Sequence, residues 1–339
     1  MKLRKIFSFA IFINVITLFN LCFCNKALSQ FNLVKPESNS AQQKGVSVQC
    51  KISYIISVPG KTQWILLTAL KPESLPDIQK IERVEYSIKP VGFFQRNGNR
   101  YEQFVIKNPG RIEKLDVIVY AELYRYDLQT AKENKVKNQY SVLLDNLITD
   151  KKETGLDEFL KEEPFIEKND ENILEVAQSI TGNTEIQVVR NIYDYVIDNM
   201  EYLVQGKRDR GAVNALRHKK GDCSEYSDLF VALCRAKNIP ARVVTGIYVQ
   251  PDTKTAKHNW AEVYLKDFGW VPFDPTKGDV RFTVLRDKLF STLKPAYIYF
   301  SHIRNDNILN GYHYCVFTYF GDRINVSDSI KFEFPKQSD

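Results

Sequence analysis

Gly221-Asp222-Cys223-Ser224-Glu225 is the stretch that decides the fold. Asp222 has the side chain of a helix N-cap, and Glu225 completes a capping box, so a helix is predicted to begin at Cys223. Apolar residues follow at the i, i+3, i+4, i+7 spacing of a core-facing helix: Tyr226, Leu229, Phe230, Leu233 and Ala236. A helix start carries partial positive charge and free N–H groups, which lower the pKa of a thiol placed there. Cys223 is therefore a candidate nucleophile, although most lone cysteines are small buried apolar residues.

A second stretch predicts a β-hairpin. Residues 258–265 and 270–276 are rich in Val, Tyr, Trp and Phe, and they flank a turn that contains Gly269. Such a hairpin returns His258 and Asp274 to the same end. They share a face of the sheet only if the pairing register keeps their parity, and the sequence leaves that register open. With that register, the chain offers a nucleophile, a base and a carboxylate that orients the base.

These stretches together resemble the transglutaminase-like superfamily. Gly221-Asp222-Cys223 and residues 235–246 are similar to its cysteine box, residues 258–262 to its histidine box, and residues 269–276 to its aspartate box. The resemblance covers roughly residues 165–300. It implies an α+β, papain-like core of helices packed on an antiparallel sheet. It also implies that Cys223 is the nucleophile, His258 the base and Asp274 the residue that orients the imidazole.

Two positions depart from the family pattern without touching these three residues. Asn259 stands where the family usually has a small or apolar residue, and Tyr195 stands where many bacterial members have tryptophan. Tyr202 lies in a segment that could border the oxyanion site or simply line the cleft. The resemblance implies a thiol enzyme that acts on amide bonds of a protein or peptide through a thioester, by acyl transfer or hydrolysis. The alternative is a catalytically silent exported binding or scaffold protein that keeps the fold.

The first 29 residues predict a signal peptide. Basic residues near Met1 precede an apolar run over residues 6–24, and Ala27-Leu28-Ser29 supplies the small residues that a signal peptidase recognises. We expect cleavage near Ser29-Gln30, export to the periplasm or the cell exterior, and no stable membrane insertion afterwards. The alternatives are an uncleaved anchor through residues 6–24, because the run approaches the ~20 residues of a membrane span, and lipid attachment at Cys24.

Removal of this segment leaves a nearly neutral chain. The formal net charge falls from +6 to about +2, since residues 1–29 contain four basic residues and no acidic ones. No stretch combines a basic stripe with interleaved aromatic residues, so we expect no nucleic-acid binding. A disulfide among Cys50, Cys234 and Cys315 stays open in an exported protein, but their apolar surroundings favour core positions. No Cys-x-x-Cys or His-x-x-x-His spacing occurs, and we expect neither a metal nor an organic cofactor.

The chain that remains, about 310 residues, is long enough for two domains. Residues 30–150 predict an all-β, sandwich-like domain, because residues 46–58 alternate apolar and polar side chains and Asn97-Gly98 is a hairpin turn signal. Residues 151–171 are dense in charges of both signs and predict a linker. Residues 172–339 would form the catalytic domain. Its C-terminal strands, near residues 296–300, 312–320 and 330–334, are expected to complete the core sheet.

Overall fold

The structure, a computed structural model, describes residues 45–131, 155–204, 209–250 and 256–334. The predicted signal peptide lies outside these ranges, as do its alternatives, the anchor over residues 6–24 and the lipid site at Cys24. Among the described residues, no helix combines the length and apolar composition that a membrane span requires.

The N-terminal part of the described chain is all-β, as predicted. Its strands are β1 (Val46–Ser57), β2 (Thr62–Lys71), β3 (Gln79–Tyr86), β4 (Gly92–Arg96), β5 (Asn99–Lys107), β6 (Ile112–Leu123) and β7 (Tyr126–Asp127). The alternation in β1 buries Val48, Cys50 and Ile52 on one face. Asn97 and Gly98 both have positive φ and join β4 to β5 in a hairpin, which confirms the predicted turn.

Helices and a second sheet follow. After a 3₁₀ turn at Leu156–Leu160 come α1 (Glu171–Ser179), α2 (Glu185–Asn199), β8 (Glu201–Tyr202), α3 (Ala212–His218), β9 (Lys220–Gly221) and α4 (Cys223–Ala236). The next elements are β10 (Ala241–Tyr248), β11 (Lys257–Leu265), β12 (Gly269–Phe273), α5 (Pro275–Gly278), α6 (Thr283–Ser291), β13 (Thr292–Leu293) and β14 (Tyr297–Ser301). β15 (Cys315–Gly321) and β16 (Asn325–Glu333) close the described chain.

The core sheet is antiparallel, in the order β12-β11-β10-β14, and α4 packs against β10 and β11. α1, α2 and α3 also pack on α4, so every residue from Ser224 to Arg235 is buried. The sequence pattern indicated only one buried face of this helix. The other face is also buried, but its residues include polar ones that are paired inside the protein, and an apolar pattern does not reveal them. Helices packed on an antiparallel sheet confirm the predicted α+β class.

The C-terminal strands correct one prediction. β14 joins the core sheet as expected, but β15 pairs with β2 and β16 pairs with β1. The last two strands therefore complete the sandwich, whose sheets have the orders β15-β2-β5-β4 and β16-β1-β6-β3. The alternating pattern of a strand identifies its two faces but not its partner, which here lies in the first part of the chain. Without β15 and β16, strands β1 and β2 would present unpaired N–H and C=O groups along open edges.

Apolar contacts continue from the sandwich into the core sheet. Ile247 of β10 and Ile298 of β14 belong to the same buried cluster as Cys50 of β1. At the β14 edge, the Gln79 side chain accepts from the Tyr299 N–H at 2.8 Å and donates to the Tyr299 carbonyl at 3.1 Å. The Gln79 amide thus forms hydrogen bonds with the N–H and C=O groups of Tyr299, which no described strand pairs at this edge of the core sheet.

The charged segment before α1 also packs on the core. Ile166 is fully buried among the helices, and the Phe159 ring packs edge-to-face on Trp270 at 4.8 Å between centroids. Arg235 holds Glu163 at 2.8 Å. The described part of this segment is therefore attached to the helices and the core sheet, while the domain boundaries at residues 150 and 171 stay predictions.

Ile330→Ala tests the role of β16 in the sandwich. Ile330 is buried and pairs with Ile52, so the truncation should lower the free energy of unfolding by about 2–5 kcal/mol in chemical denaturation. Val326→Ala on the same strand is the control, because Val326 is 38% exposed against 5% for Ile330, and it should change stability by less than about 0.5 kcal/mol. Equal effects would contradict a core role for β16.

Candidate active site

The start of α4 presents the Cys223 sulfur at the end of a capped helix. The Asp222 carboxylate accepts from the Ser224 N–H at 2.9 Å, and the Glu225 carboxylate accepts from the Asp222 N–H at 3.0 Å, so the predicted capping box is confirmed. Within the described ranges, no acceptor takes the Cys223 N–H. Cys223 is partly exposed and lines a cavity of about 770 Å³. The sulfur is thus reachable and lies beside a free main-chain donor.

Gly221 has a steric reason to be glycine. A Cβ at this position would lie 2.3 Å from Cβ of Glu225, well inside any real carbon–carbon contact. The second carboxylate oxygen of Glu225 also accepts from the Arg210 N–H at 3.0 Å. Glycine therefore leaves the room in which Glu225 closes the capping box and holds the preceding loop.

The hairpin brings His258 and Asp274 together. Ala261 pairs with Phe273, so the same register carried one residue further sets Asp274 opposite Trp260, on the face that also carries His258. The His258 Nε2 and Asp274 Oδ2 atoms lie 2.7 Å apart, and both residues are buried. The sequence left the pairing register of this hairpin open. The observed register puts His258 and Asp274 on the same face of the sheet, as a histidine–carboxylate pair requires.

Electrostatics favour the charged form of His258. Burial alone would lower its pKa, but the Asp274 carboxylate and a hydrogen bond with Cys223 outweigh burial and raise the pKa to about 10. The pKa of Asp274 moves in the opposite direction. Burial would raise it, but the His258 imidazole outweighs burial and holds the pKa of Asp274 below its ordinary value. Because Nε2 faces Asp274, Nδ1 is the ring nitrogen left for the Cys223 sulfur.

Asp274 is held from several sides. As the N-cap of α5, it accepts from the Lys277 N–H through Oδ1 at 3.0 Å. The Tyr297 hydroxyl donates to Oδ2 at 2.7 Å, and the Tyr193 hydroxyl donates to the Asp274 carbonyl at 3.2 Å. Tyr297 was predicted to lie in a strand, without a role at the site. Only its position in β14, three strands away from β12, brings it to the carboxylate.

Asn259, one of the departures from the family pattern, has a defined partner. Its side-chain amide donates to the Ser224 hydroxyl at 3.0 Å, and both residues are buried. Ser224 follows Cys223 and Asn259 follows His258, so this hydrogen bond ties the start of α4 to β11. A small apolar residue at 259 could not make that connection.

One wall of the cleft was not predicted from the sequence. Residues 310–314, between β14 and β15, line the cavity together with Lys257 and Phe165. A buried ion cluster supports this wall. Arg304 makes a two-pronged contact with Asp228 of α4 at 2.7 and 2.9 Å and holds Asp209 at 2.8 Å, and His313 contacts Asp209 at 2.9 Å. No local signal predicts this cluster, because its partners are far apart in the sequence.

Tyr202 lies near the start of α4. It pairs with Gly221 between the parallel strands β8 and β9, its ring packs on Tyr226 at 6.4 Å, and it remains 46% exposed. Burial, followed by the proximity of Cys223, raises the pKa of its hydroxyl to about 12. Tyr202 is therefore placed at the mouth of the site, and its contribution to an oxyanion site stays a prediction.

The other described cysteines are free thiols in apolar surroundings: Cys50, Cys234 and Cys315. Burial raises the pKa of Cys50 to about 12 and that of Cys315 to about 11. In the part of the chain that the structure describes, no three His, Cys, Asp or Glu side chains form a group that could hold a metal ion.

Asp274→Asn tests the charge state of His258 through stability. The folded protein binds the imidazole proton more tightly than the unfolded chain, so the stabilisation is complete below pH 6.5 and is lost as the pH rises through about 10. The wild-type free energy of unfolding should therefore fall across this window more steeply than that of the variant. Asp267→Asn, in the exposed hairpin turn, is the control and should keep the wild-type slope. Equal slopes for wild type and Asp274→Asn would exclude a charged pair.

Gly221→Ala tests the geometry behind the nucleophile. The added methyl group must displace Glu225, so we expect a loss of about 1–3 kcal/mol of stability and slower alkylation of Cys223 by iodoacetamide. Gly92→Ala is the matched control, since no atom lies within 4 Å of its added Cβ. Unchanged alkylation in Gly221→Ala would show that the capping box does not position the sulfur.

Comparison with known proteins finds sequence similarity over part of the chain. Residues 174–275 match the sequence profile described as the transglutaminase-like superfamily. A Haemophilus influenzae protein described as uncharacterized is 27% identical over 52% of this chain, and YebA of Bacillus subtilis is 39% identical over 18% of it. The matched parts span 60% and 10% of those two proteins, less than two thirds of either.

The fold recurs in a solved structure. A crystal structure from Cytophaga hutchinsonii, described as a candidate cysteine protease, covers 87% of this chain and 92% of its own, with 16% identity and a TM-score of 0.58. At this identity, the likeness concerns the fold alone. The sequence match over residues 174–275 identifies this core of the chain as transglutaminase-like.

Proposed function

We propose that Cys223, His258 and Asp274 form a catalytic triad that acts on amide bonds of proteins or peptides through a thioester. The observation that carries the proposal is the buried 2.7 Å contact between His258 Nε2 and Asp274 Oδ2, with His258 and Cys223 lining the same cleft. A nucleophile, a base and an orienting carboxylate in this arrangement are the parts of a thiol acyl-transfer site.

The first half of the reaction makes the thioester. The Cys223 thiolate attacks the amide carbonyl carbon, and the oxygen gains the negative charge. The Cys223 N–H, which no described residue accepts, is positioned to donate to this oxygen, and one such donor is worth about 3–4 kcal/mol of barrier. Collapse of the intermediate breaks the C–N bond, and His258 Nδ1 gives its proton to the departing amine or ammonia. Asp274 keeps the imidazole in the tautomer that this step needs.

The second half returns the enzyme. Neutral His258 takes a proton from water or from a primary amine, which attacks the thioester carbonyl. Loss of the Cys223 thiolate then yields a carboxylic acid in hydrolysis or a new amide in transfer, and the proton restores the imidazolium. The residues of the triad serve both outcomes equally, so the acceptor that reaches the cleft decides between them.

The setting of this activity is also a proposal. The signal-peptide pattern before Gln30 supports an enzyme that works outside the cytoplasm on protein or peptide substrates. A catalytically silent binding or scaffold protein remains the alternative. Membrane insertion after processing and nucleic-acid binding are not part of the proposal.

Alkylation separates the enzyme from the silent scaffold. Near pH 7, iodoacetamide should modify Cys223 selectively, because burial raises the pKa of Cys50 and Cys315 far above this pH. Mass spectrometry of the native protein should locate the label at Cys223, and Cys223→Ala should abolish it. Cys315→Ala is the control and should label as the wild type does. Equal labelling of all thiols, or none, would favour the scaffold.

Product analysis separates transfer from hydrolysis. A glutamine-bearing peptide is offered with and without a primary amine such as cadaverine, with Cys223→Ala as the blank. Incorporated amine would support transfer, released ammonia without incorporation would support hydrolysis of the side-chain amide, and chain scission would support a peptidase.

A further inference from the structure

Tyr297 shares the carboxylate oxygen on which His258 depends. Its hydroxyl donates to Asp274 Oδ2 at 2.7 Å, and His258 Nε2 lies 2.7 Å from the same atom. The other oxygen, Oδ1, is taken by the Lys277 N–H at 3.0 Å. The carboxylate therefore has three donors, and Tyr297 is the only tyrosine among the described residues whose hydroxyl reaches it.

The ring of Tyr297 also helps to enclose the imidazole. The His258 ring lies 6.2 Å from the Tyr297 ring, 5.9 Å from that of Trp260 and 5.9 Å from that of Tyr248. Tyr297 in turn packs edge-to-face on both of these aromatic neighbours, at 5.0 and 4.9 Å. Three aromatic side chains thus keep water away from the hydrogen bond between His258 and Asp274. A hydrogen bond is stronger in such surroundings, because their dielectric constant is lower than that of water.

We propose that Tyr297 is a positioning residue of the site, which fixes the Asp274 carboxylate through Oδ2 and thereby sets the basicity of His258. The proposal rests on the proposed triad. It adds a residue that lies beyond the matched core of residues 174–275, on a strand at the far edge of the sheet.

The physical effect follows from two donors on one oxygen. Each donor withdraws charge from Oδ2, so the Tyr297 hydroxyl stabilises Asp274 as a carboxylate and weakens its pull on the imidazole proton. Without the hydroxyl, His258 becomes the only side-chain donor at Oδ2, the attraction grows and the imidazolium becomes a weaker acid. The carboxylate also gains freedom to rotate about the Lys277 contact.

Other groups face this pair from the elements packed around it. They are Cys223 of α4, Tyr193 of α2, Tyr202 of β8, Tyr248 of β10, Lys277 of α5 and Tyr314 before β15, with Asp222, Lys257, Asp209 and His313 along the cleft. None of these side chains donates to Asp274 Oδ2, so a change confined to the Tyr297 hydroxyl isolates its contribution.

The test compares Tyr297→Phe with Tyr299→Phe. Tyr299 lies on the same strand in the same aromatic cluster, and no hydrogen bond joins its hydroxyl to His258 or Asp274. The probe is iodoacetate, an anion whose reaction with Cys223 rises with pH as the thiolate forms and falls when His258 loses its positive charge. In Tyr297→Phe the alkaline limb should move to higher pH by about half a unit or more. Tyr299→Phe should keep the wild-type profile.

A double-mutant cycle excludes a purely structural role. If Tyr297 acts through Asp274, the substitution should have no further effect on the profile in the Asp274→Asn background. An unshifted limb in Tyr297→Phe, a shift equal to that of Tyr299→Phe, or a shift that persists in the Asp274→Asn background would overturn the proposal.

Histidine NMR separates this proposal from the triad itself. The chain has four histidines, so ring-labelled protein gives four titration curves, of which His258→Gln identifies one. A higher pKa of His258 in Tyr297→Phe supports the proposal even if Cys223 proves unreactive, a result that would refute the proposed function alone. An unchanged His258 titration overturns the Tyr297 proposal whatever the reactivity of Cys223.

Discussion

A helix that is buried on every side must find partners inside the protein for its charged and polar side chains, and α4 finds them for several of its residues. Ser224 accepts from Asn259, Glu225 serves the loop before α3 and its own helix start, and Asp228 is paired with Arg304. Each partner comes from a different part of the chain. Because an unpaired buried charge costs several kcal/mol, these contacts specify where β11, the loop at residue 210 and the segment after β14 must lie. The arrangement of the cleft is in this sense a consequence of burying α4.

The same rule governs the two buried charge pairs. The Asp274 carboxylate would be costly in an apolar setting, and its three donors compensate for lost hydration. Arg304 plays the corresponding role for Asp228 behind the helix. The result is asymmetric: the imidazole and its carboxylate are fixed in dry surroundings, while the sulfur stands at the boundary with the cleft. In the proposed reaction, this arrangement would let a substrate meet groups that are already oriented.

Local sequence patterns predicted the helix caps and turns, because these features depend on residues that are close together in the chain. The capping residues around Cys223, the hairpin after His258 and the Asn97-Gly98 turn each follow from short-range geometry, and all three are confirmed. What the sequence could not supply was pairing across long separations. Tyr297 was predicted only as part of a strand near residues 296–300, and Arg304 was assigned no role. The partners of β15 and β16 were wrong for the same reason, because a strand's alternation carries no information about which edge it will join.

The pairing of β15 and β16 with the first strands of the chain also affects the order of folding. Gln49 of β1 and Glu333 of β16 are 284 positions apart, so a ribosome has released nearly all of the described chain before either sheet can close. Contacts of this separation form late, since the intervening chain must first be ordered. The segment that carries Tyr312 and Tyr314 to the cleft is attached to these strands, so the same late step that closes the sandwich also completes one wall of the cleft.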